Sequence, residues 1–218
     1  MPLPAPDLLP RIGAVLETLS IVGTFLFAAS GALAAARLHQ TIVTFCFFAL
    51  VTGVGGGTLR DLLIGAPVFW VVDPVPAITC LNAALIVWLT PRRWWKDRAL
   101  DWADAIGLAA FAVFGAAKAG AFGISPFVAA IMGIVTGCVG GIMRDLLAGE
   151  PSILLRPELY VTAAAVAAGL FVALHAAGVP LALAAVVATL AGFALRAAAI
   201  LRGLGLPGYA GSGGEDKA

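Results

Sequence analysis

Long apolar runs separated by short polar breaks dominate the sequence. A helix needs roughly 20 mostly apolar residues to cross the hydrocarbon core of a bilayer, and seven runs are about that long. They cover residues 17–37, 41–65, 74–90, 102–121, 125–148, 158–176 and 180–201. Prolines, glycines and charged residues mark the breaks between them. The pattern therefore predicts seven transmembrane helices, which we call spans one to seven.

Composition places the chain among integral membrane proteins. Of its 218 residues 61% are hydrophobic and 11% are charged, whereas soluble domains carry about 25% charged residues. A formal net charge of +1 without a basic stripe indicates no nucleic-acid partner. The three cysteines lie far apart, which does not suggest a metal site or a disulfide framework. No enzyme motif is found, so we expect no catalytic residue, no cofactor and no metal.

One segment of the chain occurs twice. Residues 52–67 read TGVGGGTLRDLLIGAP and residues 136–151 read TGCVGGIMRDLLAGEP. A shift of 84 positions aligns the two copies without a gap and also aligns Gly23 with Gly107 and Phe27 with Phe111. Spans one to three therefore recur as spans four to six. Because each unit has an odd number of spans, the second copy must enter the membrane from the opposite side.

The predicted fold is therefore an all-α integral membrane protein with two inverted three-helix repeats and a seventh helix. Its segments are an N-terminal extramembrane segment (1–16), the first repeat (17–90), a basic cytoplasmic loop (91–101), the inverted second repeat (102–176), the seventh helix (177–202) and a disordered tail (203–218). Cytoplasmic loops are enriched in Lys and Arg, and residues 91–101 hold four of them. This loop places the N-terminus outside and the C-terminus in the cytoplasm.

Glycines in the repeated segment are the first candidate functional residues. Glycine weakens a helix, and carbonyl oxygens exposed at a bend can replace part of the water shell of a cation. We expect kinks in spans two and five at Gly53, Gly55, Gly56, Gly57, Gly137, Gly140 and Gly141. Glycines at four-residue spacing are also typical of close helix packing, so packing and kinking both remain open.

Charged residues that follow the glycines are the second candidate set. Arg60, Asp61, Arg144 and Asp145 lie within spans, where each charge costs at least about 2.5 kcal/mol on insertion scales. They indicate either a water-filled permeation path or buried contacts that hold the two halves together. Adjacent residues point about 100° apart on a helix, so we expect no pairing within each Arg-Asp. Arg60 could instead pair with Asp145, or Asp61 with Arg144. Lys118 is expected to be unpaired, either beside the path or reaching the outer interface.

Taken together, the seven spans, the inverted repeat and the glycine clusters followed by Arg-Asp resemble the prokaryotic members of the trimeric intracellular cation (TRIC) channel family. The resemblance covers about residues 15–202. It implies a homotrimer in which each subunit has its own potassium-permeable pore, lined by kinked spans two and five with help from spans one and four. Carried over by position, the seven glycines lie at the kinks and the four charged residues lie beside the pore.

The resemblance leads to a functional hypothesis with two alternatives. We expect a channel for potassium or other monovalent cations in the plasma (inner) membrane, with the lipid bilayer and two further copies of the chain as partners. Related bacterial sequences are also described as glycine transporters, so a secondary transporter for a small zwitterion is the first alternative. A non-conducting membrane scaffold is the second.

Overall fold

The computed structural model describes residues 13–95, 98–155 and 158–207, without the side chain of Arg92. Within these ranges the regular elements are helices, apart from an isolated bridge between Glu158 and Gly205. The α-helices are α1 (Gly13–Arg37), α2 (Ile42–Leu63), α3 (Phe69–Val72), α4 (Val75–Leu89), α5 (Ala99–Ala121), α6 (Pro126–Ala148), α7 (Val161–Ala176) and α8 (Leu181–Arg202). Short 3-10 turns cover Arg92–Trp94 and Ile153–Leu155.

Seven of these helices lie on the predicted spans, with ends that differ by a few residues. Five of them, α1, α2, α5, α6 and α8, are long and apolar enough to cross a membrane. The two shorter ones, α4 and α7, have 15 and 16 residues. Only the short α3 was not expected. Residues 1–12 of the predicted N-terminal segment and residues 208–218 of the predicted tail lie outside the described ranges.

Helix ends occur where the local chemistry favours them. The hydroxyl of Thr41 caps the start of α2 by accepting the backbone N–H of Thr44. Pro126 occupies the first turn of α6, where its missing N–H breaks no helical hydrogen bond. Gly149 ends α6 with a φ of 68°, a left-handed conformation that favours glycine. These local signals explain why the predicted boundaries lie close to the observed ones.

At the centre of the bundle, α1 packs against α5 and α2 packs against α6. The rings of Phe27 and Phe111 lie 5.2 Å apart between centroids. A β-carbon added to Gly23 would lie 2.5 Å from the Phe111 ring, and one added to Gly107 would lie 3.0 Å from the Phe27 ring. The earlier residue of α1, Gly23, therefore meets the later residue of α5, Phe111, and the later residue Phe27 meets the earlier Gly107. Helices α1 and α5 thus run antiparallel.

The crossing of α2 and α6 has the same reciprocal form. A β-carbon on Gly140 would lie 2.5 Å from the carbonyl oxygen of Thr52, and one on Gly56 would overlap the carbonyl oxygen of Thr136. The two backbones are therefore in direct contact and run antiparallel. Three further helices surround this centre: α4 packs on α1 and α2, whereas α7 and α8 pack on each other and on α5.

Candidate functional site

The glycine clusters lie inside uninterrupted helices. Each of α2 and α6 is a single α-helix through its cluster, so the broken helices expected from the sequence are not found in the described conformation. The reason is the packing across the bundle: Gly56 and Gly140 let the two backbones touch, and the rest of their helices keep their own hydrogen bonds. Bending at these positions stays a prediction.

The remaining glycines contact residues of their own half, except Gly55, which contacts α6. A β-carbon added to Gly53 would lie 2.6 Å from Cys80 Sγ of α4 and 3.2 Å from the Ala28 side chain of α1, and Gly137 faces the Leu108 carbonyl of α5 at 2.9 Å. Gly57 lies against the Phe69 ring. Gly55 lies against the Met143 side chain. Gly141 lies against the side chains of Tyr160 and Asp104. The seven candidate glycines thus serve close contacts on several faces.

The first charged cluster surrounds Asp61 at the end of α2. Arg60 donates from Nε and Nη2 to Asp61 Oδ1 at 2.9 and 2.8 Å. The Lys118 ammonium group and the backbone N–H of Phe69 both donate to Asp61 Oδ2 at 3.0 Å. Arg60 and Asp61 are 0% exposed and Lys118 is 4% exposed. The carboxylate is therefore fully bonded and dry.

Two sequence-based expectations about these charges are wrong, and one arrangement that the sequence left open is not found in the described residues. Arg60 pairs with its neighbour Asp61, because the long arginine side chain can fold back even though the two residues leave the helix in different directions. Lys118 is paired, because α5 brings it 2.9 Å from Asp61. Cross-pairing of Arg60 with Asp145 is not found in the described part of the chain, since the two residues belong to separate clusters.

Aromatic rings close the Arg60 cluster on its remaining sides. The Arg60 guanidinium carbon lies 5.2 Å from the ring centroid of Phe114 and 5.8 Å from that of Phe69. The Lys118 nitrogen lies 5.7 Å from the same Phe69 ring. Ring faces attract cations and replace part of the water that burial removes. This end of the bundle is therefore sealed by a dry set of ionic and cation–π contacts.

The second charged cluster repeats the local geometry at Asp145. Arg144 donates from Nε and Nη2 to Asp145 Oδ1 at 2.9 and 2.8 Å, and Asp145 Oδ2 accepts the backbone N–H of Ile153 at 2.7 Å. Arg144 Nη1 also donates to Asp104 Oδ1 at 2.6 Å and to the Ser30 hydroxyl at 3.2 Å. Two carboxylates thus share one arginine.

The Arg144 cluster is also more accessible to solvent. A cavity of about 50 Å³ is lined by Arg144 and Asp145 together with Arg37 and Asp101. A larger cavity of about 480 Å³ lies beside it and shares Arg37 in its wall. The Asp145 side chain is 11% exposed, whereas that of Asp61 is 0% exposed. Solvent therefore comes close to the Asp145 carboxylate, whereas Asp104 is 1% exposed.

Helix α5 sets the distance between the two clusters. Asp104 contacts the Arg144 cluster and Lys118 contacts the Arg60 cluster. With a rise of about 1.5 Å per residue, these two positions lie about 21 Å apart along the helix. The clusters therefore lie near opposite ends of the bundle.

Further polar residues lie next to the Arg144 cluster. The sequence alone did not connect these residues to the cluster. Arg196 of α8 pairs with Glu158 at 2.8 Å, and its guanidinium lies 5.3 Å from the Tyr160 ring centroid. Asp104 and Arg196 carry a usable signal, because both are charged residues inside predicted spans. Tyr160 and Ser30 carry none, since a single hydroxyl near a span is common in membrane helices.

Comparisons with known proteins identify the family. The model of a family described as "Glycine transporter" matches residues 17–92 and again residues 101–176. A solved structure of the TRIC trimeric intracellular cation channel orthologue from Rhodobacter sphaeroides superposes with a TM-score of 0.82 at 43% sequence identity, covering 88% of this chain and 100% of that one. The chain belongs to the prokaryotic TRIC family.

Relatives of this TRIC-family protein include two bacterial membrane proteins. The inner membrane protein YadS of Escherichia coli K12, a UPF0126 protein, is 38% identical over 88% of this chain and 95% of the relative. A UPF0126 membrane protein of Vibrio cholerae is 45% identical over 68% of this chain, and the match spans 64% of that relative's length. Together with the apolar helices, these matches identify the chain as a multi-pass membrane protein.

Proposed function

We propose that this TRIC-family protein is a potassium-permeable channel for monovalent cations, with a pore in each subunit of a homotrimer. The observation that carries the proposal is the acidic cluster at the solvent-accessible end of the bundle. Asp104 and Asp145 share one arginine there, which leaves one carboxylate charge in excess. Acidic residues near a pore entrance attract cations. The likeness to the solved TRIC channel supports the same reading.

The proposed path begins at the two cavities beside Arg37. A cation would pass from the larger cavity to the smaller one and reach Asp145, whose side chain lines the latter. It would then follow the contact between α2 and α6, where glycines bring the backbones together. Separation or bending of the helices at these glycines would open space in the centre. The path would end at Asp61.

In this proposal the described conformation is closed at the Asp61 end. Lys118 and Arg60 hold the carboxylate from two sides, and the rings of Phe69 and Phe114 cover the arginine. The two positively charged side chains around the Asp61 carboxylate would also repel a permeating cation. Conduction therefore requires this cluster to move or to become hydrated.

We further infer how the chain lies in the membrane. The seven helices other than α3 would each cross it, the repeats 17–90 and 102–176 would be inserted in opposite directions, and the segment 177–202 would add the seventh span. The antiparallel contacts of α1 with α5 and of α2 with α6 support this inference. The basic residues of the 91–101 loop favour a cytoplasmic location for the end that carries the cavities, with the N-terminus outside.

The decisive experiment is the reversal potential of purified protein in a planar bilayer under a potassium chloride gradient. We expect discrete currents that reverse near the potassium equilibrium potential. A reversal near the chloride potential would contradict cation selectivity. No current together with saturable uptake of labelled glycine would favour the zwitterion transporter, an alternative that the description of the matching family keeps open. No flux of either kind would favour the scaffold.

A further inference from the structure

Beside the Arg144 cluster lie three polar side chains with atoms that find no hydrogen-bond partner in the described part of the chain. The atoms are Oδ2 of Asp104, the hydroxyl of Tyr160, and Nε and Nη1 of Arg196. The three residues are 1%, 1% and 2% exposed. They come from α5, from the residue before α7 and from α8. Unpartnered groups of this kind are rare in protein interiors, so their occurrence next to one another calls for a physical reason.

Tyr160 lies near both of the other groups. The Arg196 guanidinium lies 5.3 Å from the Tyr160 ring centroid. The Tyr160 hydroxyl and the Asp104 carboxylate both border Gly141, where an added β-carbon would overlap the hydroxyl and lie 3.0 Å from Asp104 Oδ1. Phenol, carboxylate and guanidinium therefore surround one small region without being bonded to one another.

Arg196 and Asp104 use only part of their hydrogen-bonding capacity, so a second arrangement of these side chains can form additional hydrogen bonds. Arg196 uses Nη2 on Glu158 at 2.8 Å, and Asp104 uses Oδ1 on Arg144 at 2.6 Å. Tyr160 and Arg196 thus retain free donors, and Asp104 retains a free acceptor. Hydrogen bonds between such groups are favourable in a buried environment. A conformation in which the Tyr160 hydroxyl or Arg196 donates to Asp104 Oδ2 forms such a bond. The unmet bonds favour a second state of this region.

We propose that Tyr160 and Arg196 are positioning residues that act on Asp104 and favour the conducting state. In that state the Tyr160 hydroxyl donates to Asp104 Oδ2, and Arg196 supports the same carboxylate from α8. Asp104 then turns away from Arg144, which loosens the contact between α5 and α6 beside the entrance. This inference rests on the proposed channel function. It gives α8, which stands outside the repeat, a role in the equilibrium between closed and conducting states.

The test is the variant Tyr160→Phe, which keeps the ring over Arg196 and removes only the unpartnered hydroxyl. We expect potassium flux into proteoliposomes to fall about tenfold, as the loss of one hydrogen bond made only in the conducting state would produce. The thermal midpoint in detergent should stay equal or rise, because the closed state loses no bond. Arg196→Lys keeps the charge and removes the unpartnered guanidinium donors, so its flux should fall as well.

A matched control comes from the same helix. Thr189 also has a buried hydroxyl oxygen without a partner in the described ranges, and it lies about two turns before Arg196 along α8. Thr189→Val should therefore keep the wild-type flux. A loss of flux in this variant equal to that in Tyr160→Phe would attribute the effect to α8 packing and overturn the proposal.

Two further outcomes would also overturn it. Wild-type flux in Tyr160→Phe would show that the hydroxyl does not favour the conducting state. A lower thermal midpoint would show that the hydroxyl is already bonded in the closed state. If the wild-type protein carries no cation flux, the proposed function fails instead, and the thermal midpoint of Tyr160→Phe still distinguishes a bonded hydroxyl from an unbonded one.

Discussion

The charged cluster around Arg60 and the one around Arg144 share a local geometry but differ in charge and in access to solvent. In both, the arginine donates twice to the next residue, and that aspartate accepts a backbone N–H eight residues later. The Arg60 cluster combines two cations with one carboxylate and is sealed. The Arg144 cluster combines one cation with two carboxylates and borders a cavity.

The difference in charge between the two clusters arises from residues outside the repeated segment. Phe114, which covers Arg60, occupies the position equivalent to Ser30, which bonds Arg144, under the 84-residue shift. The added charges, Lys118 and Asp104, have uncharged residues at their equivalent positions. The duplicated segment thus fixes how each arginine is held, whereas single changes on α1 and α5 determine which cluster has an excess of positive charge and which has an excess of negative charge.

The largest expected contrast is between Arg144→Gln and Arg60→Gln. Removing Arg144 leaves Asp104 and Asp145 buried without their common cation, which should lower the free energy of unfolding by about 3–5 kcal/mol. Removing Arg60 leaves Asp61 bonded to Lys118, so the decrease in the free energy of unfolding should be smaller for Arg60→Gln. Reversible unfolding by SDS titration in mixed micelles measures both. Equal losses would show that the different counter-ions do not matter for stability.

The next contrast concerns the barrier at the sealed end. Lys118→Met removes the excess cation while Asp61 keeps Arg60 and the Phe69 N–H. A unit charge at about 4 Å is worth about 4 kcal/mol at an effective dielectric constant of about 20, and every 1.4 kcal/mol is about tenfold. Potassium flux should therefore rise at least about tenfold.

The control for this experiment is Lys118→Arg, which keeps the charge and should keep the wild-type flux. Unchanged or reduced flux in Lys118→Met, with the thermal midpoint maintained, would mean that the Lys118 charge does not limit cation passage.

The sequence predicts the fold far better than it predicts the bonds of the charged residues. Helix positions follow from apolar runs of sufficient length bounded by proline, glycine and charge, and the described helices lie on the predicted spans. The repeat that contains Gly56 and Gly140 is also read from the sequence, although their reciprocal contacts are not. Helix positions and the repeat depend on local chemistry and on self-similarity, both of which are visible in one sequence.

The pairing of the charges could not be derived in the same way. Whether Arg60 bonds Asp61 depends on side-chain rotamers, because a guanidinium on a long flexible chain reaches several directions. Whether Lys118 is paired depends on how α5 is rotated against α2, which is a tertiary property. Asp104 illustrates the same limit, since its distance from Lys118 is readable from the sequence but its contact with Arg144 is not.

A smaller effect is expected where α2 and α6 touch. Gly140→Ala would place a β-carbon 2.5 Å from the rigid Thr52 carbonyl oxygen. The helices would have to separate, and overpacking of this kind costs about 1–3 kcal/mol. Gly55→Ala is the matched control, because its β-carbon would meet only the flexible end of the Met143 side chain at 2.7 Å.

The measurement is again the SDS titration, with potassium flux as a second readout. Gly140→Ala should be less stable than Gly55→Ala. If both glycines tolerate alanine equally, the direct backbone contact at the centre is not needed for stability.

The smallest effect is expected at Ser30, one of the residues that distinguish the environment of Arg144 from that of Arg60. Its hydroxyl donates to the Phe27 carbonyl at 2.8 Å and accepts from Arg144 Nη1 at 3.2 Å. Ser30→Ala leaves Arg144 with both carboxylates, so the free energy of unfolding should fall by about 1 kcal/mol. Ser20→Ala, on the same helix, should change it by less than about 0.5 kcal/mol. A loss at Ser30 as large as that in Arg144→Gln would mean that this hydroxyl, rather than the two carboxylates, stabilises the buried arginine.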